Sequence, residues 1–371
     1  MTVQEQVLLA GYTTLGLGGP AARFVEADND DEIIAIVRAA DAEGEPVLVL
    51  GGGSNLVVAD EGFPGTVLHL ATRGVTIAAG DDGVAVTVAA GEDWDAVVRR
   101  CVAEGLSGVE CLSGIPGLAG ATPIQNVGAY GQEVAETVVT VRAYDRLRDT
   151  MVELGNAECG FGYRTSTFKR GGGAGPEPAR RAALDPAAAT GRFVVLGVTF
   201  RLDRDPLSAP LRYGELARTL AVGEGERVPL AEARAAVLAL RRRKGMVLDP
   251  ADPDTRSAGS FFTNPVLDGR QFAEVERRAA ARSVTSVPHF AVGDGLVKVP
   301  AAWLIEQAGF GKGYPGDGSA RISAKHTLAL TNTGGASTAA LVGLARQIRD
   351  GVRQAFGVEL VNEPVLVGTG L

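Results

Sequence analysis

The sequence predicts a chain that mixes α and β elements, α+β or α/β, folded as two or three domains. Three observations predict it. Stretches of helical spacing and of strand alternation follow one another along the chain. Its 371 residues exceed one domain of about 150, and 46% hydrophobic residues can bury ample core. Near residues 203–210 the character changes, and the half beyond them reads as a separate α+β domain.

Asp30–Glu43 reads as the first clear helix. Asp30 or Asp31 can cap it, Ile33, Ile34 and Val37 share a face, and Gly44 ends it. VLVLGGGSNLVVA, residues 47–59, reads as strand, glycine turn, strand, a strand pair. Residues 84–89 alternate as a strand. Trp94, Val97, Val98, Cys101 and Val102 keep the spacing of an amphipathic helix closed by Gly105. Residues 137–144 and 193–202 read as β. Between them, 170–192 are biased toward Gly, Ala, Pro and Arg, a mobile surface insertion by composition. The second half holds helices at Leu230–Arg243, 272–281, 301–308 and 337–356. Its strands are 261–262, 296–299 and 328–331, and a last β-like piece, 358–367, follows Gly357. No internal repeat is present.

Composition excludes several classes. The net charge of −8 gives no basic field for nucleic acid, and the only basic run is Arg241-Arg242-Arg243-Lys244. No apolar stretch approaches the ~18 residues of a membrane span. The N-terminus lacks the basic-then-apolar plan of a signal peptide. Cys101, Cys111 and Cys159 show no paired or metal-like spacing, and the odd count suits a reducing cytoplasm. His69, His289 and His326 lie far apart, so no metal site is expected.

Two glycine-rich strips point to a ligand. In 115–131, IPGLAGATPIQNVGAYG, four glycines and three alanines surround Pro123, Gln125, Asn126 and Tyr130. Glycine costs backbone entropy and packs no side chain, so it belongs where the backbone turns through positive φ or lies against a ligand. A large, flat, polar-edged ligand explains that strip. The run Gly51-Gly52-Gly53-Ser54-Asn55 offers successive backbone N–H groups, a concave anion site for a phosphate, or else a tight hairpin turn. It is neither a dinucleotide fingerprint nor a P-loop, because a β-like run follows and no Gly-Lys-Ser/Thr does.

Five further positions carry chemistry or its bland counterpart. Arg164, in FGYRTSTFK, is either a surface arginine or a forked anion holder. Ser260, in SAGSFFTNPV, has no base nearby for nucleophilic work, so it is a cap or turn serine or a proton donor to a strong carbon base. The cations at 241–244 either complement a helix dipole or clamp a diphosphate. Lys298 is a solvated strand lysine or a ligand contact. Glu363, between apolar runs, is an exposed face residue or a tuned acid.

Seven segments in series carry a resemblance: TTLGLGG at 13–19, LGGGSNL at 50–56, the strip at 115–131, FGYRTSTFK at 161–169, AGSFFTNP at 258–265, VKVPAAWLIEQAG at 297–309 and FGVELVNEP at 356–364. Together they resemble the UDP-N-acetylenolpyruvoylglucosamine reductases, flavoenzymes of early peptidoglycan precursor synthesis. LRYGEL at 211–216 is similar to the branch whose tyrosine loop closes over substrate.

The resemblance implies an α+β architecture: a vanillyl-alcohol oxidase-like (PCMH-type) FAD-binding fold in two lobes plus a C-terminal α+β substrate-binding domain. The implied divisions are 1–74, 75–205 with the insertion, 206–355, and a segment 356–371 returning to the site. Non-covalent FAD, NADPH as hydride donor, and UDP-N-acetylglucosamine enolpyruvate reduced to UDP-N-acetylmuramate are implied, in a cytoplasmic monomer. FAD would be held by Gly51, Gly52, Gly53, Ser54, Asn55, Ile115, Pro116, Gly117, Gly120, Ala121, Thr122, Gln125, Asn126, Gly128, Ala129 and Tyr130. Arg164, Ser260 and Glu363 fall on catalytic positions. Tyr130, Tyr213, Lys244, Asn264 and Lys298 fall on substrate-contacting positions. Hydride would pass from flavin N5 to the enolpyruvyl group, with the proton from Ser260.

Two departures stand out. Pro364 and Val365 replace a bulky aliphatic and an arginine, and Ala302 replaces a glycine. The rival readings are a sugar or alcohol oxidase of the same flavin fold and a non-catalytic UDP-sugar-binding protein. The first is disfavoured by the lack of a tethering histidine in the phosphate strip. The second is disfavoured by the presence together of Arg164, Ser260 and Glu363.

Overall fold

The strand candidates around the first glycine turn do not pair with each other. In the computed structural model, which describes residues 2–80, 82–169 and 190–371, Val47–Leu50 runs parallel to Phe63–Leu70, whereas Leu56–Val58 runs parallel to Val365–Val367. This corrects the strand pair read from 47–59. The turn is therefore a crossing point between two sheets and not a hairpin tip. The chain divides into two units: residues 1–8, 20–53 and 62–247, and residues 9–19, 54–61 and 248–371.

Among the described residues the first unit holds two larger sheets and a two-stranded pair, Gly128–Ala129 with Gln132–Glu133. One orders Val3–Leu8, Pro20–Ala27, Phe63–Leu70 and Val47–Leu50, the last two pairings parallel. Helix Asp30–Glu43 makes the crossover and buries Ile33, Val37 and Ala40 against Val47, Leu68 and Leu70. Its cap is Asn29, whose side chain accepts from the Glu32 N–H, and not Asp30 or Asp31. Those two aspartates occupy the first turn, where the helix dipole favours negative charge. The second sheet is antiparallel, in the order Thr150–Gly155, Val138–Asp145, Phe193–Arg204, Gly83–Ala89 and Val75–Gly80. Helix Trp94–Ala103 covers it, with Trp94 buried against Phe200 at 5.5 Å. Helices Gly214–Thr219 and Leu230–Arg243 follow, around a small core of Leu211, Leu216, Val237 and Leu240.

Most of the expected insertion, 170–189, lies outside the described residues. Its last residues are anchored: the Thr190 hydroxyl accepts from the Val49 N–H at 2.6 Å, and Arg192 binds Asp145 at 2.5 Å.

The second unit holds a sheet of Ser257–Ser260, Ala329–Asn332 and Ala320–Ile322. A smaller sheet joins Val266–Leu267, Val297–Lys298 and Phe290–Ala291. Helices Gly269–Ala280, Ala301–Gln307 and Thr338–Phe356 supply the rest of its core. Of the β-like run 358–367, only Val365–Val367 is a strand, because its partner Leu56–Val58 is that short. No described helix is long and apolar enough to cross a membrane.

Candidate active site

The candidate residues gather into two groups, one in each unit. In the first unit, two glycine turns lie back to back. A Cβ on Gly52 would sit 2.8 Å from the Gly117 Cα, so position 52 needs hydrogen in place of a side chain. Gly117, at φ +124, also accepts the Trp94 N–H on its carbonyl at 3.0 Å. Asp95 fixes the head of the strip by accepting from the Gly114 N–H at 2.6 Å, and Arg234 clamps the same carboxylate with two bonds of 2.7 and 2.8 Å. Burial pushes this carboxyl up, but Arg234 and the Gly114 N–H outweigh it and hold it below its ordinary value. Gly120 is glycine for a packing reason, since a Cβ there would lie 2.4 Å from the Ala90 Cβ.

Farther along the strip, two side chains serve the fold itself. Asn126 is buried and donates to Glu133 Oε2 at 2.7 Å and to the Gly162 carbonyl at 3.2 Å. Its Oδ1 accepts from the Ala135 N–H at 3.0 Å. Thr122 donates to the Ala119 carbonyl at 2.7 Å. A ligand on this stretch would therefore meet backbone more than these side chains. Asn126→Ala should destabilise the protein by about 2–4 kcal/mol, since it breaks three buried bonds and puts Ala at φ +47. Urea denaturation checks this, and an unchanged midpoint refutes it.

Arg164, far away in sequence, arrives on the same strip. Its Nη2 donates to the Gly128 carbonyl at 2.9 Å and its Nη1 to the Asn126 carbonyl at 3.5 Å. Three of the eight described non-glycine residues at positive φ are Asn126, Tyr130 and Arg164. Backbone strain of this kind concentrates at ligand and active sites.

Tyr130, Tyr213 and Lys244 also converge. The two tyrosine rings meet edge to face at 5.4 Å, and Lys244 Nζ lies 5.8 Å from the Tyr130 ring centre. Burial pushes the Tyr130 hydroxyl up to about 12. Lys244 caps helix Leu230–Arg243 and binds Glu215 Oε2 at 2.6 Å. Glu215 was not foreseen, although it follows Tyr213 by two residues in LRYGEL. Arg241 was foreseen only as one cation of a run. Helical phase turns it inward: its Nη2 donates to the Met246 carbonyl at 2.8 Å, while its buried Nε has no partner among the described residues. Burial lowers its pKa to about 10, which leaves it charged at neutral pH.

In the second unit, Ser260 and Glu363 come together from segments about a hundred residues apart. The Glu363 N–H donates to the Phe261 carbonyl at 2.9 Å, and the Thr263 N–H donates to the Val361 carbonyl at 3.0 Å. Ser260 ends strand Ser257–Ser260, opposite Ala329. Asn55 Nδ2 donates to the Glu363 carbonyl at 3.4 Å, and the Val365 N–H donates to the Asn55 carbonyl at 2.9 Å. Position 365 thus serves the strand that pairs with Leu56–Val58. Asn264 Oδ1 accepts from the Ala301 N–H at 2.9 Å, at the start of helix Ala301–Gln307. Lys298 pairs across the small sheet with both Val266 and Phe290.

Could these residues hold a flavin dinucleotide? The wall of backbone at Gly52 and Gly117 suits the close approach of a flat ring. The buried Nε of Arg241 suits a phosphate oxygen. The residues fit such a group.

Comparison with known proteins agrees. A family model described as FAD binding domain matches residues 21–155. A second, described as UDP-N-acetylenolpyruvoylglucosamine reductase, C-terminal domain, matches residues 250–367. The chain is 58% identical to UDP-N-acetylenolpyruvoylglucosamine reductase of Thermobifida fusca, over 99% of this chain and 98% of that one. It is 57% identical to the enzyme of the same name from Streptomyces coelicolor, over 98% and 90%. The crystal structure of UDP-N-acetylenolpyruvylglucosamine reductase from Thermus caldophilus superposes with a TM-score of 0.61 at 25% identity, over 99% of both chains.

Proposed function

The chain belongs to the UDP-N-acetylenolpyruvoylglucosamine reductase family, and from that premise we propose how its own residues divide the work. The reaction is NADPH-dependent reduction of UDP-N-acetylglucosamine enolpyruvate to UDP-N-acetylmuramate, a step of peptidoglycan precursor synthesis. Non-covalently bound FAD, when present, supplies hydride transfer from NADPH to the enolpyruvyl double bond.

Hydride addition to the terminal carbon leaves negative charge on its neighbour, delocalised into the carboxylate. Fixed groups aimed at developing charge commonly supply the largest catalytic contribution. Arg164 and, as a protonated acid, Glu363 take this role. The Ser260 hydroxyl gives its proton to the carbanion. A serine is a weak acid, but its acceptor is a strong base. What supports this assignment most is the bond from the Glu363 N–H to the Phe261 carbonyl, which sets the main chain of the acid beside the residue that follows Ser260.

FAD rests on the turn of Gly51 to Asn55 and the strip 115–130, with Arg241 added to its anion contacts. Tyr130, Tyr213, Lys244, Asn264 and Lys298 hold the UDP-linked substrate, and Tyr213 lies in a closing loop. The subdivision 1–74, 75–205, 206–355 and 356–371 follows the same division of roles. A cytoplasmic monomer is the setting, in keeping with three buried, unpaired cysteines.

The deciding experiment is the absorbance of purified protein near the flavin band. It should bleach with NADPH and recover when the enolpyruvyl substrate is added. A colourless protein that binds UDP-sugar would refute the reading. A second result is expected for Lys244→Ala. The KM for substrate rises about 10- to 100-fold, the worth of one charged hydrogen bond, while the flavin spectrum stays unchanged. Loss of flavin in that variant would instead assign Lys244 to the cofactor.

A further inference from the structure

We propose that Glu110 is a positioning residue for the substrate tyrosines, holding the arms that carry Tyr130 and Tyr213 together through one buried carboxylate. The inference rests on the reading of those tyrosines as substrate contacts.

Glu110 opens the short turn Glu110–Leu112 and is 0% exposed. Its Oε1 accepts from Gln132 Nε2 at 2.9 Å and from the Ala209 N–H at 2.7 Å. Its Oε2 accepts from the Gly108 N–H at 2.7 Å. All three donors are neutral amides. Burying a carboxylate is costly unless its lone pairs are satisfied, and here several bonds from separate segments do that.

Those segments lead to the tyrosines by short paths. Gln132 lies two residues beyond Tyr130, and its own Oε1 accepts from the Cys111 N–H at 2.8 Å. Ala209 lies four residues before Tyr213, with Pro210 stiffening the path. Leu211, between them, is buried in the same small core as Cys111, against which Tyr130 packs. The arms leave one carboxylate and meet again where the two rings touch at 5.4 Å. The Tyr213 arm keeps other ties, since the Leu211 N–H donates to the Glu226 carbonyl at 2.9 Å and Arg212 pairs with Glu136 at 3.0 Å. Losing the Ala209 bond should therefore displace Tyr213 without unfolding the arm.

An exchange of the two side chains separates positioning from stability. In Glu110→Gln, an amide replaces an acceptor, and bonds from Gln132 and Ala209 compete or fail. In the double variant Glu110→Gln/Gln132→Glu, the new carboxylate at 132 accepts from the Cys111 N–H and from the amide at 110. The amide oxygen at 110 still accepts from the Gly108 N–H. Only the Ala209 N–H is left facing an N–H₂ group.

The measurements are Tm, flavin spectrum, and KM and kcat with NADPH and the UDP-linked enolpyruvyl substrate, all on the full-length FAD-loaded protein. Glu110→Gln is expected to lower Tm and raise KM about tenfold, as for loss of one or two buried hydrogen bonds, with kcat and flavin spectrum near wild type. The double variant is expected to recover Tm while KM stays raised. Recovery of KM together with Tm would make Glu110 merely structural and overturn the proposal. So would a KM for Glu110→Gln within twofold of wild type, or a double variant no more stable than the single one. Wild-type protein that does not turn over this substrate would instead refute the functional reading itself.

Discussion

Ser260→Ala should leave reduction of the bound flavin by NADPH within about twofold of wild type and slow reoxidation by the enolpyruvyl substrate by ~10²–10⁴, the usual worth of a general acid. The expected asymmetry follows from what the hydroxyl is asked to do. NADPH gives up hydride without needing a proton from the protein. The substrate half needs one proton at carbon after hydride arrives. The variant is structurally mild. Ser260 is half-buried at the end of a strand, and Ala keeps that strand's register opposite Ala329. Two neighbouring bonds are main-chain and do not depend on the hydroxyl: the Phe261 N–H to the Leu328 carbonyl at 2.7 Å and the Glu363 N–H to the Phe261 carbonyl at 2.9 Å. A fall in rate can then be read as lost chemistry and not lost fold. Stopped-flow absorbance resolves the two half-reactions. Equal slowing of both would remove the serine from its assigned role.

The legibility of this chain depended on distance in sequence. Helices Asp30–Glu43, Trp94–Ala103 and Leu230–Arg243 announced themselves because a helix is specified by its own neighbours, through spacing and terminal glycines. The glycine strips were legible for the same reason, being local demands of the backbone. Strand partnership was not. Nothing within 47–59 says that Leu56–Val58 will pair with a segment some 300 residues later, and a hairpin was the local economy. The first helix cap went to Asn29 over its acidic neighbours because only that side chain stands outside the helix, where it can turn back to the Glu32 N–H. Family motifs supplied Arg164, Ser260 and Glu363 as positions. Of the second-rank groups, Glu215 on Lys244 sits in LRYGEL, which does not show its partner, and Asp95 on Gly114 and Glu110 on Ala209 lie in no motif. Their roles exist only as contacts between segments, and one sequence does not display contacts.

Gly52→Val should give a folded protein that has lost most of its flavin. A Cβ at position 52 would stand 2.8 Å from the Gly117 Cα and 3.2 Å from its carbonyl carbon. Both are backbone atoms, so no side chain can rotate away. Neither turn is free to yield. Position 52 follows Val47–Leu50, which is locked in its sheet beside Phe63–Leu70. Gly117 is held through its carbonyl by the Trp94 N–H at 3.0 Å, and its neighbour Leu118 bridges Asp93. The two turns must separate, and valine forces this further than alanine. Overpacking of this kind costs about 1–3 kcal/mol, which a protein of this size tolerates as a fold. The same displacement opens the wall against which the flavin is proposed to lie, and 2.7 kcal/mol of lost binding lowers affinity roughly 100-fold. Gly343→Ala is the matched control: it lies in helix Thr338–Phe356 with nothing within 4 Å of the added carbon. It should retain flavin and gain up to about 1 kcal/mol of stability. The ratio of flavin to protein absorbance after gel filtration decides the matter. Wild-type flavin content in Gly52→Val would mean that the two glycine turns meet for packing alone, and the cofactor would have to be sought elsewhere in the chain.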